Sequence, residues 1–242
     1  MSHSSLPYLS VIVPAYNESQ RLEGILKIDE YLRAQPFSSE LLVVDDGSSD
    51  DTLDRLKTLR DACGIRIVSY RPNRGKGYAI QQGMLQARGA YRLFCDVDLS
   101  TPIAEFDKFI PHLAEYAVII ASRKQQHASV VRHQPWLREN LGKGFTFLSR
   151  VALQVPLSDF TCGFKCFSQA AAEAIFQRMT IERWGFDAEA MFIAQRLGYT
   201  IKEIPVTWTN DPRTRVKLPD AIIDSLLELI TIRVNHLRGR YR

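Results

Sequence analysis

Short apolar runs alternate with longer amphipathic segments through the first half of the chain. The apolar runs predict strands at Leu9–Pro14, Glu40–Asp46, Ile65–Tyr70, Tyr91–Asp98 and Tyr116–Ser122. The amphipathic segments predict helices at Ser19–Ala34, Ser49–Ala62, Tyr78–Arg88 and Ile103–Ala114. Continuous runs rich in β-branched residues that alternate with helices are typical of a mainly parallel sheet covered on both faces. The pattern therefore predicts an α/β fold.

The second half of the chain is less regular. Residues Arg123–Pro135 show no periodicity and predict a loop, and the stretch "PLSDFTCGFKCF" is rich in turn residues. Helices are predicted at Trp136–Leu153, Gln169–Met179, Asp187–Leu197 and about Asp220–Arg238. Alternation over Thr200–Trp208, with Pro205 inside it, predicts an edge strand.

Polar side chains follow four of the predicted strands, at the point where each strand ends. They are Asn17 and Glu18, Asp45 and Asp46, Asn73 to Lys76, and Asp96 and Asp98. In a parallel sheet the carboxyl ends of the strands meet at one edge, and ligands bind there. The sequence therefore predicts a polar ligand site at this edge.

Length and composition favour a single α/β domain and argue against a nucleic-acid-binding, disulfide-rich or zinc-binding protein. A length of 242 residues with 45% apolar residues fits one α/β domain, or one domain with an appendage. The net charge of +4 implies no bulk attraction to nucleic acid, and the basic segments lack interleaved stacking aromatics. We expect no nucleic-acid partner. The four cysteines lack the spacing of a disulfide framework or a zinc site, so free thiols are expected.

The chain shows no sequence feature of a membrane-spanning protein. No window approaches the roughly 20 apolar residues of a spanning helix. The first ten residues do not combine a basic segment with an apolar stretch, so no signal peptide is expected. We therefore expect a protein that is soluble or attached at a membrane surface.

The stretch "VVDDGSSDDT" places two carboxylates before a helix start. Gly47 permits a tight turn, and Ser48 or Ser49 can cap the helix. Acidic residues at a helix N-terminus are favourable, but Asp45 and Asp46 precede the cap. Asp45 is therefore a candidate to hydrogen-bond a nucleotide base or ribose.

The stretches "RPNRGKGYAI" and "DVD" carry opposite charges. The glycines and Lys76 before a helix resemble a phosphate cradle, although no Ser or Thr follows the lysine as in a Walker motif. Asp96 and Asp98 would point to one face if the chain were extended, and they would repel each other unless a cation lay between them. Mg²⁺ and Mn²⁺ accept one or two carboxylates together with substrate phosphates. The alternative is a pair of surface loop acids.

These motifs, in this order, resemble the family 2 glycosyltransferases of GT-A fold. The first half contributes "VIVPAYNE" (Val11–Glu18), "VVDDGSSDDT" (Val43–Thr52), "NRGKGYA" (Asn73–Ala79) and "DVDLS" (Asp96–Ser100). The second half contributes "ASR" (Ala121–Arg123), "DFTCGFKCF" (Asp159–Phe167), "RWGFDAEA" (Arg183–Ala190) and "IKEIPVTW" (Ile201–Trp208). The second set is similar to the branch that glycosylates polyprenyl phosphates, and "CGFK" and "RWGFDAE" are closer to dolichyl-phosphate glucosyltransferases than to mannose synthases.

The resemblance implies roles for individual residues. The nucleotide sugar would be bound by Pro14, Tyr16, Glu18, Asp45, Asp46, Lys76 and Asp96. Asp96 and Asp98 would hold Mg²⁺ or Mn²⁺, with Asp98 a direct ligand. Arg123 and Arg138 match positions that hold the acceptor phosphate, where Gly142 replaces a serine of the mannose synthases. The resemblance makes Asp98, Arg123, Arg138 and Asp159 the expected catalytic residues. Asp159 and Asp187 match motif acids of this branch, and each could instead cap a helix or hold an arginine.

The resemblance also implies a reaction, which is inverting transfer of glucose from UDP-glucose to a polyprenyl phosphate. Such an acceptor is already anionic at neutral pH, so no strong general base is required. Positioning and charge stabilisation remain for the protein to supply. The alternatives are mannosyl transfer from GDP-mannose and a non-catalytic protein that binds sugar nucleotides.

The predicted final helix is a candidate surface for contact with the membrane that holds a lipid acceptor. We expect a GT-A domain over residues 1–217 and an amphipathic, basic helix over residues 218–242. Ile222, Ile223, Leu226, Leu227, Leu229, Ile230 and Ile232 form an apolar band, and four arginines crowd the end. Such a helix can lie on an anionic leaflet, or it can simply pack on the domain. Because the N-terminal anchor usual in eukaryotic glucosyltransferases of this type is missing, we expect peripheral attachment at the cytoplasmic face of a membrane.

Overall fold

A seven-stranded mixed sheet forms the centre of the protein. The computed structural model describes residues 6–212 and 218–242, and only the backbone of 137, 138 and 218–223. The strands of the main sheet are β1 (Leu9–Ala15), β2 (Ser39–Asp45), β3 (Arg66–Ser69), β4 (Tyr91–Cys95), β5 (Val118–Ser122), β7 (Phe164–Ser168) and β8 (Ile201–Pro205). Strands β6 (Ser129–Arg132) and β9 (Thr207–Thr209) form a separate parallel pair.

The strand order is β3-β2-β1-β4-β7-β5-β8. Strand β7 runs antiparallel to both of its neighbours, and the remaining pairs of the sheet are parallel. The predicted α/β class with a mainly parallel sheet is confirmed. The carboxyl ends of β1, β2 and β4 lie side by side, which is the edge where the polar clusters were predicted to meet.

Helices cover both faces of the sheet. They are α1 (Glu23–Arg33), α2 (Thr52–Cys63), α3 (Lys76–Gln86), α4 (Trp136–Leu153), α5 (Gln169–Phe176), α6 (Phe186–Arg196) and α7 (Leu218–Leu237). Alternate residues of the strands pack into two cores. Ile12 belongs with α3, α5 and α6, whereas Val11 and Val13 belong with α1 and α2. Burial on both faces explains why these strands read as continuous apolar runs.

Strand β7 was not predicted from the sequence. Its residues alternate between the two cores, with Phe164 and Cys166 on one side and Phe167 on the other. Lys165 shares the side of Phe167 and is completely buried. Because Lys165 and Gly163 interrupt the apolar pattern, the sequence of this strand resembled a turn. All four cysteines are free thiols, as expected.

Two further segments differ from the prediction. Ile103–Ala114 was expected to be an α-helix, but it forms two short 3₁₀ segments, Ile103–Lys108 and Ile110–His112. Pro111 lacks an N–H group, and the buried Ile103, Phe106 and Phe109 recur at the three-residue period of a 3₁₀-helix. The predicted loop Arg123–Pro135 contains β6, which pairs with β9.

The C-terminal helix α7 packs on the rest of the protein. Leu229 and Ile232 are buried in the core beside α6. The carboxylate of Glu228 accepts a hydrogen bond of 2.6 Å from the N–H of Gly185, immediately before α6. Residue 217 lies outside the described residues, so the predicted boundary at 217/218 stays a prediction. Within residues 6–212 and 218–242, no helix has the length and apolar character needed to cross a membrane.

Close packing of α3 on the sheet gives a testable prediction. A Cβ atom at Gly83 would lie 2.3 Å from Cγ2 of Ile12 and 3.0 Å from Cγ2 of Val44. Gly83→Ala should therefore lower the free energy of unfolding by about 1–3 kcal/mol, as overpacking does. Urea denaturation followed by circular dichroism measures this.

The matched control is another helical glycine. A Cβ at Gly144 in α4 meets nothing within 4 Å. Gly144→Ala should be neutral or stabilising by up to about 1 kcal/mol, because alanine favours helix. Equal effects of the two substitutions would contradict the proposed packing of α3.

Candidate active site

The loops after β1 and β2 are hydrogen-bonded to each other. Asn17, with a positive φ of 55°, accepts at Oδ1 from the N–H groups of Ser49 and Asp50. Its own N–H donates to Oγ of Ser48, and the N–H of Glu18 donates to Oγ1 of Thr52. These bonds fix the edge of the sheet where Tyr16 is exposed.

Asp45 is buried at the end of β2. Its carboxylate accepts from the N–H of Ser48 at 3.1 Å and from Oγ of Ser69 at 2.8 Å. A carboxylate oxygen has more than one acceptor position, so these bonds leave room for a ligand donor. The contact of Asp45 with a base or ribose, and those of Pro14 and Tyr16 with the nucleotide, stay predictions.

Asp46 organises the loop that precedes α3. Its carboxylate accepts from the N–H groups of Arg74 and Gly75 at 2.9 Å and from Nδ2 of Asn73 at 2.7 Å. Gly75 has a φ of 110°, and a Cβ there would lie 2.6 Å from the carbonyl oxygen of Glu182. Asp46 therefore shapes the backbone that leads into Lys76, while its predicted nucleotide contact stays a prediction.

Lys76 and Asp96 form an ion pair at the centre of the edge, with 2.6 Å between Nζ and Oδ1. Burial opposes the charge on Lys76, but Asp96 and Asp187 together raise its pKa. Burial raises the pKa of Asp98, and the charge of Asp96 adds to this effect. The two aspartates thus lie in one electrostatic field, with a lysine partly neutralising it.

The expected extended geometry of the two aspartates was wrong. Strand β4 ends at Cys95, and a turn follows in which the N–H of Leu99 donates to the carbonyl of Asp96. Leu99 has a positive φ of 49°, and the carboxylate of Asp98 accepts from the N–H of Ser100 at 2.9 Å. The turn, rather than strand alternation, sets the directions of both carboxylates.

Arg21 is a buried cation of this site that the sequence reasoning missed. Its guanidinium binds Glu18 through two hydrogen bonds of 2.5 and 2.6 Å. Its Nη1 lies 4.0 Å from the carboxylate of Asp98 and 3.9 Å from that of Asp211. The available signal was the spacing of three residues between Glu18 and Arg21, which lie in the turn before α1. The nucleotide contact predicted for Glu18 stays a prediction.

Asp96 and Asp98 fit a divalent cation of the Mg²⁺ or Mn²⁺ type. Over the described residues, no cluster of three or more His, Cys, Asp or Glu side chains is preassembled as a metal site. These cations, however, commonly use one or two carboxylates and complete their shell with phosphate and water oxygens. Burial and mutual repulsion raise the cost of leaving Asp98 ionised without a cation, which favours such a ligand.

A buried ion pair between Lys165 and Asp187 lies beside this region. Nζ of Lys165 donates to Asp187 at 2.5 Å and to the carbonyl of Cys162 at 2.6 Å. Burial raises the pKa of Asp187, while Lys165 and Lys76 oppose that rise. The motif acid Asp187 therefore holds a lysine. A Cβ at Gly163 would lie 2.2 Å from Oδ2 of Asp96, so a larger residue there would displace the Asp96 carboxylate.

Arg123 and Asp159 form the second charged centre. Nε and Nη2 of Arg123 donate to the two carboxylate oxygens at 2.7 and 2.8 Å, and its backbone N–H donates at 3.1 Å. Burial opposes ionisation of Asp159, but Arg123 overcomes it and holds the pKa of the carboxyl well below its usual range. Of the roles considered for Asp159, this geometry fits the one in which it holds an arginine.

Glu203 on β8 positions that centre and was also missed. Its carboxylate accepts from the N–H groups of Ser158 and Asp159 at 3.0 and 3.1 Å, and from Nε2 of Gln125 at 3.0 Å. The partners of Glu203 in these three contacts are 44, 45 and 78 residues away in sequence, and alternation along β8 gave no signal of them. Arg138 lies on α4, but its side chain is outside the described residues, so its role stays a prediction.

The comparisons with known proteins agree with this architecture. Residues 10–176 match the sequence profile of Glycosyl transferase family 2. The chain is 33% identical over 250 residues to a dolichyl-phosphate beta-glucosyltransferase of Dictyostelium discoideum, covering 97% of this chain and 76% of that one. Identity to the human dolichyl-phosphate beta-glucosyltransferase is 32% over 250 residues, covering 97% and 77%.

Solved structures show the same fold. Glucosyl-3-phosphoglycerate synthase from Mycobacterium tuberculosis, in complex with Mn²⁺, UDP and phosphoglyceric acid, has a TM-score of 0.68 at 20% identity, covering 93% of this chain and 78% of that one. The complex of that enzyme with Mg²⁺ and UDP has a TM-score of 0.66 at 22% identity, covering 93% and 79%.

Fold and sequence together define a glycosyltransferase of GT-A architecture. The chain belongs to glycosyltransferase family 2, and it is a hexosyltransferase similar to the dolichyl-phosphate glucosyltransferases.

The Arg123–Asp159 pair gives the second prediction. Asp159→Asn removes the charge partner of a partly enclosed arginine and should lower the free energy of unfolding by about 3–5 kcal/mol near neutral pH. Because the folded-state pKa of Asp159 is depressed, its contribution exists above the unfolded pKa of about 3.9 and is lost as the pH falls below it. The difference between wild type and variant should therefore shrink below about pH 4, as measured by urea denaturation.

Asp51→Asn provides the control. Asp51 and Arg55 form an ion pair on α2 in which both side chains are more than half exposed. Its loss should cost less than about 1 kcal/mol. A pH-independent difference for Asp159→Asn, or one as small as that of the control, would contradict the assignment.

Proposed function

We propose that the protein transfers glucose from UDP-glucose to a polyprenyl phosphate of the dolichyl type, with inversion at the anomeric carbon and with Mg²⁺ or Mn²⁺. The observation that carries this proposal is that two charged centres lie at the same edge of the sheet, where β4 and β5 end. Asp96 and Asp98 follow β4, and Lys76 at the start of α3 pairs with Asp96. Arg123 follows β5 and pairs with Asp159 from the loop before β7. Strand β7 lies between β4 and β5 and pairs with both.

The donor side of the site would bind UDP-glucose. Asp45, between the loops after β1 and β2, would accept from the base or ribose, beside Pro14, Tyr16 and Glu18. Asp46 would set the backbone before α3 and so place Lys76 near the diphosphate. The similarity to enzymes named dolichyl-phosphate beta-glucosyltransferases supports glucose as the sugar.

Asp96 and Asp98 would hold the divalent cation. When bound, such a cation stabilises the negative charge that develops on the leaving diphosphate. Lys76 contributes positive charge to the same region, and Lys165 fixes Asp187 beneath it. The residues of the chain therefore supply alignment and a partly neutralised field in which charge can move to UDP.

The acceptor side requires no general base. A phosphate monoester oxygen is already anionic at neutral pH and can attack the anomeric carbon directly. The bond from that carbon to the acceptor oxygen forms as its bond to the diphosphate oxygen breaks, and UDP leaves with the electron pair. Arg123, together with Arg138, would neutralise the approaching phosphate, and Asp159 would keep Arg123 in position.

A lipid acceptor also implies contact with a membrane surface. Helix α4 packs against α7, and both helices expose large apolar side chains. They include Phe147, Leu148 and Val151 on α4, and Leu227, Ile230 and Leu237 on α7. Four arginines lie between residues 233 and 242. We place the protein peripherally at the cytoplasmic face of a membrane, where apolar and cationic side chains bind together.

The reaction is tested with a panel of radiolabelled nucleotide sugars and short polyprenyl phosphates. We expect an organic-phase product from UDP-glucose with Mg²⁺ or Mn²⁺, and a β-linked sugar by NMR. Asp98→Ala should lower the rate about a hundredfold or more and should weaken Mn²⁺-dependent UDP binding in calorimetry.

Asp61→Ala, which removes a largely exposed acid on α2, serves as the control and should keep full activity. Product from GDP-mannose instead would favour the mannosyl alternative. Binding of UDP-glucose without turnover, even with lipid phosphate present, would favour a non-catalytic protein. Full activity of Asp98→Ala would contradict the metal assignment.

Membrane attachment is tested separately by sedimentation with vesicles that contain phosphatidylglycerol. Val151→Ser combined with Phe147→Ser should lower the partition coefficient at least tenfold, because burying a large apolar side chain stabilises by about 1.5–3 kcal/mol. Both side chains are exposed, so the fold should be unaffected. Leu26→Ser, at a position on α1 that is 47% exposed, should have no effect. Unchanged binding of the double variant would exclude α4 from the membrane contact.

A further inference from the structure

The motif "RWGFDAEA" contains two acids, which are Asp187, the partner of Lys165, and Glu189. Glu189 lies in the first turn of α6 and is completely buried. Among the described residues, the groups that donate hydrogen bonds to its carboxylate are all neutral. A buried carboxylate is costly unless its oxygens accept several hydrogen bonds. The donors that surround Glu189 are therefore strongly constrained in position.

These donors come from the segment before α6 and from the residues after α7. The N–H groups of Thr180 and Ile181 donate to Glu189 at 3.0 and 2.8 Å, and the hydroxyl of Thr180 donates at 2.7 Å. The hydroxyl of Tyr241 donates at 2.6 Å. Nδ2 of Asn235, on α7, donates to the hydroxyl of Thr180 at 2.9 Å. Glu189 thus fixes the backbone at Thr180 and Ile181.

The segment that Glu189 holds lies directly against the first turn of α3. The N–H of Tyr78 donates to the carbonyl of Glu182 at 3.0 Å. A Cβ atom at Gly77 would lie only 2.8 Å from the carbonyl oxygen of Ile181. The backbone of the segment and the backbone of α3 are therefore in direct contact, with no side chain between them.

This contact sets the place from which Lys76 extends. Helix α3 begins at Lys76, which precedes Gly77 directly, and the ammonium pairs with Asp96 at 2.6 Å. Phe186, the first residue of α6, lies on the same side, because a Cβ at Gly77 would lie 2.7 Å from its Cβ. A displacement of the segment before α6 would move the start of α3, and with it the Lys76 backbone.

We propose that Glu189 is a positioning residue for Lys76, and through Lys76 for the diphosphate of the donor. It acts through the backbone of Thr180–Glu182, which it holds against the start of α3. The assignment of the diphosphate to Lys76 rests on the function proposed above. Because Glu189 is completely buried, it contacts no substrate itself.

A purely structural role predicts a different result. If Glu189 only joined α6 to its neighbours, its loss would lower stability without acting through Lys76. Any effects of changing Glu189 and Lys76 on nucleotide affinity would then be independent and would add. A positioning role predicts that the effect of Glu189 disappears when the Lys76 ammonium is absent.

The test is a double-mutant cycle of Glu189→Gln and Lys76→Met, read as the affinity of the full-length protein for UDP with Mg²⁺ in calorimetry. The glutamine amide replaces one acceptor oxygen by a donor, which would face groups that also donate. Glu189→Gln should therefore weaken UDP binding about tenfold, the size of one lost hydrogen bond to a charged group. In the Lys76→Met background it should change the affinity less than about twofold. Additive effects would overturn the proposal.

Transfer assays supply a second readout of the same cycle. Glu189→Gln should raise the KM for UDP-glucose about tenfold and leave the KM for the lipid phosphate unchanged. An equal rise in both KM values would show a general loss of structure and would contradict a role specific to the donor side.

The control for lost stability is Ile28→Ala. Ile28 is completely buried on α1, in the core on the other face of the sheet. The cavity should destabilise the protein, as measured by urea denaturation, and UDP affinity should stay unchanged. If Glu189→Gln does not fold, the cycle is run with Tyr241→Phe, which removes one of the donors to Glu189. This variant should weaken UDP binding about threefold, and unchanged affinity would contradict the proposal.

A measurement without ligand separates this proposal from the proposed function. Amide hydrogen exchange of Tyr78, followed by NMR, reports on its hydrogen bond to Glu182. Glu189→Gln should speed this exchange about tenfold more than Ile28→Ala does. If wild type does not bind UDP but Tyr78 responds in this way, the positioning of α3 stands and the proposed donor is wrong. If Tyr78 responds equally in both variants, Glu189 does not position α3.

Discussion

Repulsion between carboxylates at one edge of the sheet is the constraint on which the site depends. The parallel strands bring Asp45, Asp96 and Asp98 to this edge, where burial, and next the charge of Asp96, raise the pKa of Asp98. Cationic side chains from distant segments offset this negative charge. Lys76 pairs with Asp96, and Arg21 lies between Asp98 and Asp211. The carboxylates at this edge are therefore partly neutralised by cations of the chain itself.

At the Arg123–Asp159 centre, too, a buried carboxylate is neutralised by a cation of the chain. Asp159 is completely buried and is ionised because Arg123 binds it through three hydrogen bonds. Glu203 holds the loop that carries Asp159 through two backbone N–H groups. One nitrogen of Arg123 also donates to Thr161. Such layered support fixes the guanidinium before any substrate arrives, which is what electrostatic catalysis requires.

Much of the fold could be predicted from the sequence, because strands buried on both faces read as unbroken apolar runs. Strand β7 escaped prediction because a buried lysine, Lys165, interrupts its pattern, and its ion pair with Asp187 forms only in the folded chain. The residue types of the site were found through motifs. Their partners, Arg21 and Glu203, were not found, since contacts across the fold leave no periodic signal. The turn at Asp96–Leu99 likewise depends on tertiary packing rather than on strand propensity.

The hydrogen bond between Glu228 and Gly185 connects the C-terminal helix α7 to the start of α6. It attaches α7 to the first residue before α6, and Asp187 lies two positions further along. Burial raises the pKa of Glu228 to about 7, so the acceptor of this bond changes its ionisation near neutrality. Helix α7 is thus held by a pH-sensitive hydrogen bond to the segment that carries Asp187, the partner of the buried Lys165.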